Sequence, residues 1–112
     1  MDSEKIDLSF IIINYKTPLL TKDCIASIYA LNCKCKFEII VVDNYSCDDS
    51  FSIITQEFNK IKWLQSEENL GFGRANNLAV SKSIGEYILL INSDVVLFEN
   101  SIVLDSPLVT LS

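Results

Sequence analysis

The chain has 112 residues, 49% of them hydrophobic and 21% charged, which bounds it to one globular domain and excludes a disordered segment. A formal net charge of −6 argues against a nucleic-acid binder, which presents a basic face to phosphates. Histidine is absent, so Ser-His-Asp catalysis, Cys-His catalysis and histidine metal ligands all drop out together.

The charged N-terminus is followed by an apolar run far too short for a signal peptide or a membrane span, and a cytoplasmic protein is expected. Leu8 to Ile13 is a continuous, largely β-branched run, the mark of a strand covered on both faces. Thr17 is placed as an N-cap with Pro18 in the first helical position. Leu20, Cys24, Ile28 and Leu31 then recur at helical spacing as a buried stripe. Phe37 to Val42 is a second buried strand, stopping at Asp43-Asn44. Ser46 to Ser50 can cap a second helix whose apolar face is Phe51, Ile54 and Phe58. Ile61 to Leu64 is a shorter third strand. Asn69 to Gly73 turns the chain into a third helix reaching about Ser83, with Ala75, Leu78 and Ala79 inward and Gly85 as its C-terminal cap residue. Glu86 to Ile91 is the fourth strand, ending at Asn92-Ser93-Asp94. The tail stays apolar at Leu97, Phe98, Ile102, Val103 and Leu104 and meets Pro107, which suggests a missing partner segment.

Strands alternating with helices imply an α/β fold, a Rossmann-like, mostly parallel sheet with helices on both faces. The strand order expected is 3-2-1-4. The four cysteines, Cys24, Cys33, Cys35 and Cys47, lack the spacing of a zinc knuckle, and free thiols are expected.

Each strand is apolar through its body and polar at its C-terminal end. In an open parallel sheet those ends share one rim, where ligands bind near the topological switch point. The rim collects Asn14, Asp43, Asn69, Arg74, Asn92 and Asp94. Turn and cap chemistry accounts for Asn and Asp in such places too, but it is weakest at Asn92-Ser93-Asp94, which no obvious helix follows. A carboxylate there suits a divalent cation that also holds a diphosphate. Arg74, the only arginine in the chain, sits in the first turn of the third helix, where a planar guanidinium can pair a phosphate or a base edge. Gly71-Phe72-Gly73-Arg74-Ala75-Asn76 is not a dinucleotide fingerprint, because its third glycine is replaced and it follows the third strand rather than the first.

Four segments in this order resemble the family 2 glycosyltransferases of the GT-A fold: Ser9 to Tyr15, Val41 to Ser46, Asn69 to Asn77, and Leu90 to Asp94. They are most similar to the branch called rhamnosyltransferase-like, with its N-x-G-F-x-x-A-N-N and L-N-x-D patterns. The resemblance covers nearly everything from Leu8 to Leu97. It implies a donor-binding domain that takes part in inverting transfer from a nucleoside-diphosphate sugar, a UDP- or dTDP-sugar, to a glycan or lipid-linked acceptor. Asn14 and Tyr15 would then line the base, Asp43 would hydrogen-bond it, and Asn69, Gly71 and Arg74 would lie by the nucleotide. Asn92 to Asp94 match the DXD-type motif. Asp94 is then the metal-binding carboxylate, for Mn2+ or Mg2+, and Asn92 replaces the first acid. The general base of the family lies well beyond that motif, so no catalytic residue is assigned and residues 1–112 are expected to be a fragment of a longer glycosyltransferase. A truncated, inactive nucleotide-binding homologue is the alternative. A flavodoxin-like module is disfavoured, since it would place acidic residues where Asn14 stands. No nucleic-acid partner is expected, a homodimer is left open, and a peripheral place at the inner face of the membrane is compatible with the family.

Overall fold

The computed structural model describes residues 5–31, 35–97 and the backbone of 108–111. In chain order the elements are β1 (Leu8–Asn14), α1 (Pro18–Ala30), β2 (Phe37–Asp43), α2 (Ser50–Glu57), β3 (Lys62–Gln65), α3 (Gly71–Lys82), β4 (Tyr87–Asn92) and β5 (Leu108–Leu111). All seven residues of β1 are buried, as its unbroken apolar run requires of a central strand. Every pairing is parallel, and the order is β3-β2-β1-β4-β5. The expected 3-2-1-4 order is therefore present, with a fifth strand added beyond β4. That strand carried no readable signal in the sequence, because four residues are too few to show a period. Phe98, Ile102, Val103, Leu104, Pro107 and Cys33 lie outside the described residues.

Strand alternation divides the core between two faces. Leu8, Phe10, Ile12, Ile39, Val41, Leu89 and Ile91 pack with Cys24, Ile25 and Ile28 of α1 and Ile54 of α2. Ile11, Ile13, Ile40 and Val42 pack with Ala75 and Ala79 of α3. The small residues of α3 let that helix lie close to the sheet. Ile54 is wholly buried and contributes about 1.5–3 kcal/mol over an exposed position, which anchors a helix of only eight residues.

Several expectations shift in detail. The buried stripe of α1 runs through Thr21, Cys24, Ile25, Ser27 and Ile28, whereas Leu20 is 46% exposed. Thr21 can take the core position because its hydroxyl finds a buried acceptor. Phe51 is also exposed and meets Trp63 edge-on at 5.3 Å. Thr17 does occupy the N-cap of α1, but its hydroxyl makes no cap bond. Ser83, in extended conformation, caps α3. Gly85 has a different reason to be glycine: a Cβ there would stand 2.6 Å from the Ser9 nitrogen and 2.8 Å from the Leu8 carbonyl carbon. Cys24 and Cys47 are free thiols, as expected, but Cys35 is disulfide-bonded. Among the described residues no helix is long and apolar enough to cross a membrane.

Candidate functional site

The chain leaves β1 for β2 on one side and later crosses to β4 on the other, so the switch point lies between β1 and β4. Register aligns the strand ends there: Asn14 faces Asp43, Asp43 faces Gln65, and Asn92 pairs with Ile13 one level below. Two hollows open along this rim. One, of about 410 Å³, lies over β1 and β4 and is lined by Tyr15, Thr17, Leu20, Asn44, Asn69, Gly71, Phe72 and Asn92 to Asp94. The other, of about 420 Å³, lies over β2 and β3 and is lined by Asp43, Tyr45, Cys47, Asp48, Ser50, Phe51 and Gln65 to Glu67. The sequence neighbours Asn44 and Tyr45 each line one of them, so the hollows adjoin.

Asp43 is the best-held polar group of the rim. Its Oδ1 accepts from Asn14 Nδ2 at 2.8 Å and Ser46 Oγ at 2.6 Å. Its Oδ2 accepts from the Ser46 backbone N–H at 3.0 Å and Gln65 Nε2 at 2.9 Å. Burial works against the charge, but the bonds from Ser46, Gln65 and Asn14 outweigh it and hold the Asp43 carboxyl below its ordinary range. Asn14 is wholly buried, and its Oδ1 accepts from the Thr21 hydroxyl at 2.7 Å. Its side chain therefore supports Asp43 from beneath and has no surface to offer a ligand. The loops that form this cage carry three non-glycine residues at positive φ, Lys16, Tyr45 and Cys47. Such backbone costs energy and persists where surrounding bonds fix it. Here the Lys16 N–H donates to Ser46 Oγ at 2.8 Å.

Asn44 ties the second loop to the third. Its Oδ1 accepts from the Leu70 N–H at 2.7 Å and its Nδ2 donates to Asn69 Oδ1 at 3.2 Å. The same Asn69 oxygen accepts from the N–H of Gly71, whose φ of 78° suits a residue without a Cβ. Asn69 and Gly71 therefore set the entry angle of α3, whose first turn opens onto the first hollow. A helix N-terminus favours an anion at that place.

Asn92 and Ser93 are half-buried and Asp94 is exposed, all three lining the first hollow. Ser93 Oγ lies 3.3 Å from Thr17 Oγ1, linking the end of β4 to the start of α1 across the switch point. Among the described residues no group of three His, Cys, Asp or Glu could cage a metal. One carboxylate with an amide oxygen beside it fits a hard divalent cation that takes its other ligands from a bound diphosphate and water. Nearby Cys24 is pushed up to about 12 by burial and then by the Asp94 charge, so it is no thiolate ligand.

The rim thus brings together Tyr15, Asn69, Gly71, Asn92 and Asp94 in one hollow and places Asp43 in the other. Arg74 is exposed on the first turn of α3 and lines neither hollow. Sequence reasoning gives no site role to Asn44, Ser46, Thr21 or Gln65. Asn44 and Ser46 flank Asp43 in the polar loop and carried a signal in that clustering. Thr21 and Gln65 carried none, since only tertiary packing gives them their partners.

Comparison with known proteins agrees with this architecture. Residues 9–102 match the description "Glycosyl transferase family 2". The chain is 31% identical over 98 residues to the glycosyltransferase GlyG of Streptococcus pneumoniae, covering 85% of this chain and 32% of GlyG. It is 38% identical over 64 residues to the poly(ribitol-phosphate) beta-N-acetylglucosaminyltransferase TarS of Staphylococcus aureus, covering 54% of this chain and 11% of TarS. The crystal structure of TarS 1-349 in complex with UDP-GlcNAc superposes with a TM-score of 0.69 at 28% identity, over 80% of this chain and 27% of that one. The Pyrobaculum calidifontis mannosyltransferase PcManGT, solved with GDP-Man and Mn2+, shares the fold with a TM-score of 0.69 at 21% identity, over 82% of this chain and 28% of its own. The chain spans about a third or less of these relatives. With the matched segment covering most of its length and the strand order, switch point and rim in place, the chain belongs to glycosyl transferase family 2.

Proposed function

We propose that the rim is the donor site of a glycosyltransferase that uses a UDP- or dTDP-sugar. The observation that carries this reading is the pair of adjoining hollows, one built on an ionised acceptor and the other on a carboxylate beside a helix N-terminus. A uridine or thymidine diphosphate has the matching order of groups. Its base carries an imide N–H for Asp43, and its diphosphate needs positive charge and a cation.

In this reading the base enters the hollow over β2 and β3, where Asp43 remains an acceptor because its own bonds keep it ionised. Tyr15, exposed at the edge of the other hollow, offers a flat face to the ribose or base. The diphosphate lies between the start of α3 and Asn92 to Asp94, within reach of the Arg74 side of the helix. Asp94, with Asn92, would hold the divalent cation, which supplies charge neutralisation for the departing diphosphate. One carboxylate implies cation binding that depends on the nucleotide. Asn14 and Ser46 position these groups without touching the ligand, and Asn44 fixes the turn into α3.

The sugar passes to a glycan or lipid-linked hydroxyl with inversion. A carboxylate general base for that step is assigned to no residue of this chain and belongs to a longer protein of which residues 1–112 form the donor-binding part. The run Asn69 to Asn77, which builds the turn into α3, supports placement in the rhamnosyltransferase-like branch. Calorimetric titration with UDP, dTDP, GDP and NAD tests the reading. Binding of a pyrimidine diphosphate with NAD excluded is expected. Folded protein that binds neither pyrimidine diphosphate would overturn it.

A further inference from the structure

The four hydrogen bonds to Asp43 fill the positions at which a carboxylate accepts, so a base N–H can reach it only by displacing a donor. Three of the four come from Asn14 and Ser46, which are 0% and 2% exposed. The fourth comes from Gln65, an exposed side chain on the last residue of β3. That strand is an edge of the sheet. Only Gln65 has room to move away. Its amide is also held from the other side, for Trp63 Nε1 donates to Gln65 Oε1 at 3.1 Å and Gln65 Nε2 donates to the Ser66 carbonyl at 3.0 Å.

We propose that Gln65 is a stand-in for the nucleobase: its amide occupies the Asp43 Oδ2 position and yields to a base that presents an N–H there. Uracil and thymine carry such a group at N3. Cytosine and adenine present an unprotonated ring nitrogen, and that lone pair would face the carboxylate. Two acceptors would then oppose each other where the Gln65 donor had been, so exchange is unfavourable for those bases. Displacement also breaks the Trp63–Gln65 bond, which couples the only tryptophan of the chain to occupancy of the hollow. This inference rests on the donor-site reading and adds to it the residue against which the base competes.

The test uses the chain with UDP and CDP, followed by calorimetry and Trp63 fluorescence, in the wild type and in Gln65→Ala. In the wild type UDP is expected to bind and to shift Trp63 emission, with CDP weaker. Gln65→Ala is expected to start from a shifted emission that UDP no longer moves. It should also bind UDP about two- to tenfold more tightly, the equivalent of one neutral hydrogen bond of about 0.5–1.5 kcal/mol no longer competing. The CDP affinity should rise by no more than the UDP affinity, since the lone pair of cytosine still faces Asp43 in the variant. If the wild type binds UDP without a change in Trp63 emission and Gln65→Ala binds it equally or more weakly, the stand-in role is overturned while the donor site stands. If the wild type binds no UDP, both are overturned.

Discussion

Replacing Asn14 with alanine separates a supporting role from a ligand-lining one. The substitution removes the Nδ2 donor to Asp43 Oδ1 and the Oδ1 acceptor of the Thr21 hydroxyl, both in a wholly buried setting. A hydrogen bond to a charged group contributes about 1.5–3 kcal/mol, and a buried hydroxyl left without a partner costs about 1–3 kcal/mol. Together these give a destabilisation of about 2.5–6 kcal/mol, against a total of about 5–15 kcal/mol for a domain. Urea denaturation followed by circular dichroism reads this as an earlier midpoint with an unchanged slope. Asn14→Asp should be worse at neutral pH, because it sets a second carboxylate against Asp43. A stability change below about 0.5 kcal/mol in Asn14→Ala, which is no more than an ordinary surface substitution, together with abolished UDP binding, would refute the supporting role and make Asn14 a direct contact.

Gly85→Ala should cost at least about 2 kcal/mol, in the upper part of the range for overpacking, since the clashing atoms include the backbone of β1; a midpoint equal to wild type in the same denaturation would contradict this. Acid should unfold the protein through Asp43 and Glu38. At Glu38 burial is again outweighed, by the Ser9 hydroxyl, the Ile84 N–H and Lys62, so both carboxyls lie below their ordinary values. Their contribution is present above the unfolded values of about 4 and is lost as pH falls through the lower folded values. Glu38→Gln should flatten that acid limb in a pH series of denaturation midpoints, and an unchanged limb would count against it. Iodoacetamide should alkylate exposed Cys47 and spare Cys24, whose thiol is buried and raised to about 12. Because Cys47 lines the hollow over Asp43, UDP should slow that reaction, as mass spectrometry would read it; equal rates with and without UDP would place the base elsewhere.

The sheet was legible because β1, β2 and β4 are apolar but for Ser9 and Glu38 and end in Asn or Asp, and that pattern also located the rim. Helical phase was less legible. Leu20 and Thr21 fit a stripe through Cys24 and Ile28 about equally well by spacing, and the bond from Thr21 to Asn14 decides between them. The polarity of Asn14 drew it into the candidate rim, but in the structure its side chain is buried and bonded to Asp43 rather than open to a ligand. Gly85 read as a cap because glycine commonly ends helices, whereas the need comes from β1 pressing against it. Gln65 could not be found from the sequence at all, since its role depends on β3 pairing in register beside Asp43.

The most direct test of the donor site is UDP affinity with and without Mn2+, measured by calorimetry in the wild type and in Asp94→Ala. Asp94 is exposed and makes no hydrogen bond or ion pair among the described residues, so the variant should fold normally. The expected result is that Mn2+ tightens UDP binding in the wild type and that Asp94→Ala loses most of this gain while retaining the weaker metal-free affinity. Equal Mn2+ dependence in both proteins, or UDP binding that ignores the metal altogether, would contradict a diphosphate held at Asn92 to Asp94.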